Sequence, residues 1–335
     1  MKLTMKDIAK MANVSMTTVS LVLNNKKARI SQKKINEIKK IAADNNYIPN
    51  SSAVSLATNE SKTIGVVVPN IGNPFYSLLL KAISDALKNR GYYALIINTN
   101  DNHDDESQQV QKLISRGVDG ILLVPSNDLF SQGSTVVTEF LKDISLPFVL
   151  VNAETKLKIN QINFDSVEGG FLATQLLIQK GHKKIAIITG EKGYVNADDR
   201  LKGYKKALEQ NHINFDSNLV FRGKYDIQSG NENITKIIKD TEATAIFFCN
   251  DLMLYGAMQK MNQLKLNLFD RYSIIGYDDT FFNEIFNPEV SSVKQDVNKL
   301  GSDAVIMMLD VIKNKVVNQS KLRVEVNDRE SVKQL

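Results

Sequence analysis

The chain has 335 residues, enough for two or three domains, and its 43% hydrophobic content is ordinary for a water-soluble globular protein. No stretch approaches the roughly 18 to 20 apolar residues of a membrane span, and the single cysteine, Cys249, excludes an intrachain disulfide and fits a reducing cytoplasm. The net charge of +5 is unevenly placed: residues 1–60 hold ten Lys and Arg against four Asp and Glu, while the remainder of the chain sums to −1.

The basic segment reads as three short helices. Thr4 caps a first helix over residues 5–11, with Ile8, Ala9 and Ala12 on one face. Asn13 falls at a tight turn, where a residue tolerant of left-handed geometry is useful. Ser15 caps a second helix whose Val19, Val22 and Leu23 point inward, and Ser31 caps a third carrying Ile35, Ile38, Ile41 and Ala42 at helical spacing. A helix-turn-helix on a positive surface is built to enter a DNA groove. The polar stretch from Asn50 to Lys62 then reads as a linker of marginal helix propensity.

From Thr63 the pattern changes to strands alternating with amphipathic helices. Strands are expected at Ile64–Val68, Tyr93–Asn98, Gly120–Val124 and Phe148–Asn152, then at Lys184–Thr189, Ala245–Asn250 and Ser273–Tyr277. Helical periodicity occupies Phe75–Asn89, Glu106–Ser115, Val167–Gln179 and Arg200–Glu209. Continuous apolar strands separated by such helices indicate parallel sheets covered on both faces. The run divides near residues 155 to 165 into two α/β lobes, and ligands of such sheets bind beyond the C-terminal strand ends, here between the lobes. Cys249, inside an apolar run, reads as a buried and inert thiol.

Several strings together resemble the lactose-repressor (LacI/GalR) family of bacterial transcription regulators. They include Asp7-Ile8-Ala9, Val14-Ser15, Thr18-Val19-Ser20, Val22-Leu23-Asn24 and Tyr47-Ile48-Pro49-Asn50 in the first part. Farther on come Asn73-Pro74-Phe75, Gly117-Val118-Asp119-Gly120, Gly181-His182-Lys183-Lys184-Ile185, Asn250-Asp251 and Gly276-Tyr277-Asp278-Asp279. The resemblance implies an N-terminal all-α helix-turn-helix domain (1–49), a hinge (50–62) and a two-lobed periplasmic-binding-protein-like α/β core (63–335). The lobes would span 63–160 and 161–290, with crossovers between them from 291–335.

For DNA, the resemblance places Met16 and Thr17 on base edges, where a methionine suits a thymine methyl and a hydroxyl pairs with several bases. Thr4, Ser15, Thr18, Ser20, Asn24, Asn25 and Arg29 fall at phosphate-contacting positions, with Tyr47, Asn50 and Ala53 in matching register. Leu56 matches the hinge leucine that wedges between base steps in the minor groove. Leu21 departs from the pattern, standing where many relatives carry Arg.

For the effector, Arg200, Asn250 and Asp278 match positions that bind ligand hydroxyls, since a planar fork and a carboxylate suit paired hydroxyls. Phe75 would stack on a sugar face, and Asn73 and Asp165 are further candidates. The implied partners are a pseudo-palindromic double-stranded DNA operator, a small carbohydrate-like effector and a second copy of the chain, as a dimer or tetramer. A purine effector is the alternative ligand. Regulation by a phosphorylated carrier protein is disfavoured because Ser302–Lys313 lacks Arg.

No cofactor or metal is implied. An enzyme is disfavoured: Asp278-Asp279 would diverge rather than flank a bond, and no phosphate-loop, dinucleotide or zinc-protease motif occurs. A secreted solute-binding protein would share the two lobes. The basic head and the absence of an apolar signal after the Lys-rich start argue against it.

Overall fold

A computed structural model describes residues 3–23, 27, 29–47, 60–314 and 318–335. The chain divides into two compact units, Met1–Ser61 and Lys62–Leu335.

In the first unit, α1 spans Met5–Met11 and opens on a capping box. The Asp7 amide donates to the Thr4 hydroxyl (3.3 Å), and the Thr4 amide donates to the Asp7 carboxylate (3.0 Å). Asn13 takes the turn with φ 49°, a left-handed value that asparagine accepts at low cost. Helix α2 spans Met16–Leu23, and the Ser15 hydroxyl accepts from the Thr18 amide at 3.1 Å. Helix α3, Gln32–Asp44, is capped by Ser31. Ile8, Ala9, Ala12, Val19, Val22, Ile38 and Ala42 are buried between the three helices, with Ile35, Ile41 and Leu23 partly covered around them. So small a core leaves little margin for substitution.

The second unit holds two six-stranded sheets. Its first lobe runs β1 (Thr63–Val68), α4 (Pro74–Lys88), β2 (Tyr93–Asn98), α5 (His103–Ser115) and β3 (Gly120–Leu123), then α6 (Asn127–Ser131), α7 (Ser134–Asp143), β4 (Phe148–Val151) and β5 (Gln161–Phe164). The second lobe runs α8 (Ser166–Gln179), β6 (Ile185–Gly190), α9 (Ala197–Gln210), β7 (Val220–Gly223), α10 (Ile227–Asp240) and β8 (Ala245–Phe248). It continues through α11 (Asp251–Gln263), α12 (Leu268–Arg271), β9 (Ser273–Asp278) and β10 (Ser291–Lys294). The chain then returns: α13 (Val297–Ile312) packs against α4, β11 (Gln319–Leu322) joins the first sheet and β12 (Glu325–Asn327) joins the second.

Strand order is β11-β5-β4-β3-β1-β2 in one sheet and β12-β10-β9-β8-β6-β7 in the other. Among the described residues only β12 pairs antiparallel, against β10. Strands β6 and β8 are buried along their whole length, as parallel strands with helices on both faces must be.

The lobes are joined by three crossings, after β5, after β10 and between β11 and β12. The first crossing lies at the far end of the 155–165 stretch where the division is expected, beyond the 160/161 lobe boundary. Gln161 and Ile162 pair with Leu150 and Val151 of β4, so β5 belongs to the first sheet and the chain crosses only at Asp165. Strand β5 escapes hydropathy because its polar members are buried yet bonded. Gln161 exchanges hydrogen bonds with the Thr155 backbone, and Asn163 donates to Glu154.

Helices α8 and α9 approach almost to backbone contact. A Cβ on Gly170 would lie 2.1 Å from the Arg200 carbonyl oxygen, and one on Gly203 would lie 2.1 Å from that of Val167. Neither position admits a side chain.

Candidate functional site

The first unit presents the residues expected to meet bases at the start of α2. Met16 is 51% exposed and Thr17 is exposed beside it, while the next inward residue, Val19, is fully buried. An unforced apolar side chain held in solvent this way is available for contact with another molecule. The hydroxyls of Thr4 and Ser15 are engaged in caps: Thr4 donates to Asp7 at 2.6 Å, and Ser15 lies 2.9 Å from the Thr18 hydroxyl. Any phosphate contact by these side chains has to be made alongside, or in exchange for, those bonds. Thr18 and Ser20 are half-buried and Arg29 is exposed. Tyr47 packs on the rim of the small core, its amide donating to the Ala42 carbonyl at 2.8 Å. Asn24, Asn25, Asn50, Ala53 and the expected wedge Leu56 lie outside the described residues.

In the second unit a cleft opens where strands from both sheets end. Its walls include Asn73, Phe75, Tyr76, Asp101 and Asn127 from the first lobe and Arg200, Tyr225, Asn250 and Asp278 from the second, with Gln295 on a crossing. The cavity measures about 70 Å³, room for about five waters.

Arg200 dominates the second-lobe wall. It is 5% exposed, its guanidinium lies 3.7 Å from the centre of the Tyr277 ring, and Nη1 donates to the Cys249 carbonyl. Cys249 itself is buried and its thiol is pushed up to about 12, chiefly by that burial, which makes it inert at neutral pH. Asp278 sits at the end of β9 with φ 98°. Burial, and then the neighbouring Asp251, raise its carboxyl well above the usual range. Asp251 lies behind it, where Oδ2 accepts from the Thr280 amide (3.0 Å), the Thr280 hydroxyl (2.9 Å) and the Asn283 carboxamide (2.9 Å). Burial pushes Asp251 up to about 6.

Five polar atoms on the cleft walls are buried without a hydrogen-bond partner: Asn152 Oδ1, Arg200 Nε, Tyr225 Oη and both terminal atoms of Gln295. Burial raises the Tyr225 phenol, so it is a neutral donor. Buried polar groups left bare are costly, and their convergence on one cavity marks where a polar ligand would recover the loss.

Other expected residues take different places. Asn250 lines the cleft, but its carboxamide caps α11 by accepting from the Met253 amide (3.0 Å) and donates to the Tyr225 carbonyl (3.0 Å). Asn73 caps α4, accepting from the Phe75 amide at 3.0 Å. Phe75 lines the cleft but is only 4% exposed, and its ring meets Tyr76 edge-on at 5.2 Å. Asp165 does not line the cleft. It caps α8 at the first crossing, accepting from the Glu168 amide at 3.0 Å.

Tyr76, Asp101, Asn127, Asn152, Tyr225 and Gln295 were not anticipated. Asn152, Asn250, Asp278 and Gln295 share a simple placement at or just beyond the end of a strand. Scanning those positions strand by strand is the signal that finds them. Among the described residues no three His, Cys, Asp or Glu side chains converge as a metal site requires.

Comparison with known proteins matches this architecture. A family model described as bacterial regulatory proteins, lacI family, matches residues 4–50, and a periplasmic binding protein domain model matches residues 64–315. The HTH-type transcriptional repressor PurR of Aliivibrio salmonicida is 32% identical over 338 residues, covering 99% of each chain. The ribose operon repressor of Haemophilus influenzae is 34% identical over 324 residues, covering 96% of each. The lac repressor dimer bound to operator and the anti-inducer ONPF superposes with a TM-score of 0.89 at 26% identity, covering 99% of this chain and 100% of that one. A LacI family transcriptional regulator from Enterococcus faecium with bound ribose gives a TM-score of 0.72 at 27% identity, covering 82% of this chain and 99% of that one.

Proposed function

The chain belongs to the LacI family of DNA-binding transcriptional regulators, and we propose that it is a repressor whose affinity for its operator is set by a neutral, sugar-sized polyol in the cleft. Its relatives are repressors, not enzymes, and its lacI-family head distinguishes it from a solute-binding protein built of the two lobes alone.

One observation carries the ligand class. The bare polar atoms of Asn152, Arg200, Tyr225 and Gln295 surround one cavity, with the Asp278 carboxyl on its wall. They supply both donors and acceptors, as hydroxyls require, and no surplus of cations that would single out a phosphorylated ligand. A cavity with room for about five waters suits a pentose- or hexose-sized ligand, and its walls come from both lobes, so such a ligand touches both at once. Ligand binding is thereby linked to lobe position, and through lobe position to operator affinity.

The DNA side of the proposal places Met16 and Thr17 on bases, with Leu56 as the minor-groove wedge. Two such heads on a pseudo-palindromic site imply a cytoplasmic homodimer. Tyr93 (75% exposed) and Ile96 (41%) on edge strand β2 supply apolar surface that a second copy would cover.

Thermal shift of the full chain against ribose, other aldoses and purines tests the ligand. A sugar raises the melting temperature, and Arg200→Ala abolishes that response while sparing operator binding. A purine response with none to any sugar would overturn the sugar reading in favour of the second candidate, which the PurR relatives motivate.

A further inference from the structure

A second cavity, of about 370 Å³, lies away from the cleft and is lined by Phe164, Lys294, Asp296, Lys299, Lys321, Leu322, Arg323 and Glu325. Its walls come from all three crossings between the lobes: the end of β5, the segment after β10, and the β11–β12 connection. It is the place where the two lobes are spliced, and it is roomier than the cleft.

Its chemistry is also different. Four cationic side chains line it against two carboxylates. Lys299 is paired with Asp303 (3.0 Å) and Lys321 with Glu154 (3.0 Å). Asp296 is engaged in capping α13, accepting from the Lys299 amide at 2.9 Å. Lys294 and Arg323 have no ion-pair partner among the described residues, and they project from different crossings. A cavity framed by two such cations, one a planar fork and one a point charge, suits a compact oxyanion.

The position gives an occupant leverage. Lys294 and Asp296 face this cavity, while Gln295 between them faces the cleft with both polar atoms bare. We propose that the crossing cavity is a second ligand site, for a small phosphate-bearing metabolite, held chiefly by Lys294 and Arg323. The cleft then senses an uncharged ligand, and the splice between the lobes senses an anionic one.

Inorganic phosphate is the probe, titrated into the full chain at constant ionic strength made up with chloride. Saturable binding is expected, with a melting-temperature rise of roughly 2–4 °C at saturation. The double variant Lys294→Ala/Arg323→Ala should melt normally in chloride, since both side chains are exposed, and should lose the saturable response. Phosphate also stabilises proteins generally as an excluded salt, an effect that is not saturable and persists in the variant. Asp278→Ala should retain the phosphate response, which separates this site from the cleft. A response equal in the native chain and the double variant would overturn the proposal, because the anion would then sit on the basic head or in the cleft. The absence of any saturable response would overturn it equally.

Discussion

The two recognition surfaces are made in opposite ways. The surface proposed to read DNA is contiguous: Met16 and Thr17 follow one another on one helix, stand in solvent, and are backed by a core of buried residues such as Ile8, Val19 and Ile38. The cleft is discontinuous. Its bare polar atoms come from segments as far apart in the chain as Asn152 and Gln295 and are buried before any ligand arrives. The first surface takes its energy from charge and exposure and stays locally simple. The second holds unspent hydrogen-bonding capacity between two lobes, which lets a small molecule matter to a large protein.

Damage to the head's core should separate the two surfaces most strongly. Val19→Asp places an unpaired charge at a fully buried position. Specific operator binding should fall by more than about 100-fold. The ligand response should persist, because the second unit has its own core. Loss of the ligand response in the same variant, read by thermal shift, would show that the units do not fold separately.

A milder substitution tests whether specificity rests on a few uncharged side chains. Met16→Ala should weaken operator binding about tenfold, within the roughly 1–3 kcal/mol expected of a base contact, and leave binding to random DNA unchanged. Anisotropy at matched salt measures both, and an equal loss on both DNAs would place Met16 outside base readout.

The smallest expected effect is in pH. In the head, the Asp7 carboxyl is held below its usual range by its hydrogen bonds to Thr4. A lowered folded pKa contributes stability above the unfolded value that is lost as pH falls through it, so the head weakens on acidification below about pH 4. In the core, burial pushes Asp251 up to about 6 and also raises Asp278, Asp101 and Glu106. A raised folded pKa acts the other way: these groups favour the folded state most when protonated, and that advantage fades as pH rises from about 4 to 6. Hydrogen exchange resolved by unit should show the core loosening as pH rises through about 6, where the head is steady, and the head loosening only below about pH 4. Parallel trends would mean that the buried carboxyls are hydrated.

Much of the fold was legible because it follows from local pattern. The capped helices of the head, the left-handed Asn13, and strands such as Tyr93–Asn98 all announce themselves within ten residues. What was hidden is what depends on distant bonding. Strand β10 reads Ser-Ser-Val-Lys, yet both serines are fully buried, with hydroxyls bonded to the Arg329 carbonyl and the Asp279 amide. Arg200 and Asp278 were found in the cleft through family resemblance. Asp165 was misplaced because a carboxylate beside a strand end has the same local sequence whether it binds a ligand or caps a helix. Tyr76 carries no such signal, because a tyrosine on an amphipathic helix looks like surface, and Gln295 stands at a strand end that hydropathy does not reveal.

The close approach of α8 and α9 has a consequence for how such a protein changes its ligand. The carbonyl of Arg200 rests against bare Gly170, so the reader's backbone is fixed from behind by a residue that never meets the cleft. Side chains facing the cavity can be exchanged one at a time without moving that support, whereas even a methyl at Gly170 would displace the helix carrying the guanidinium. Drift toward a new effector is therefore free in front of Arg200 and closed behind it.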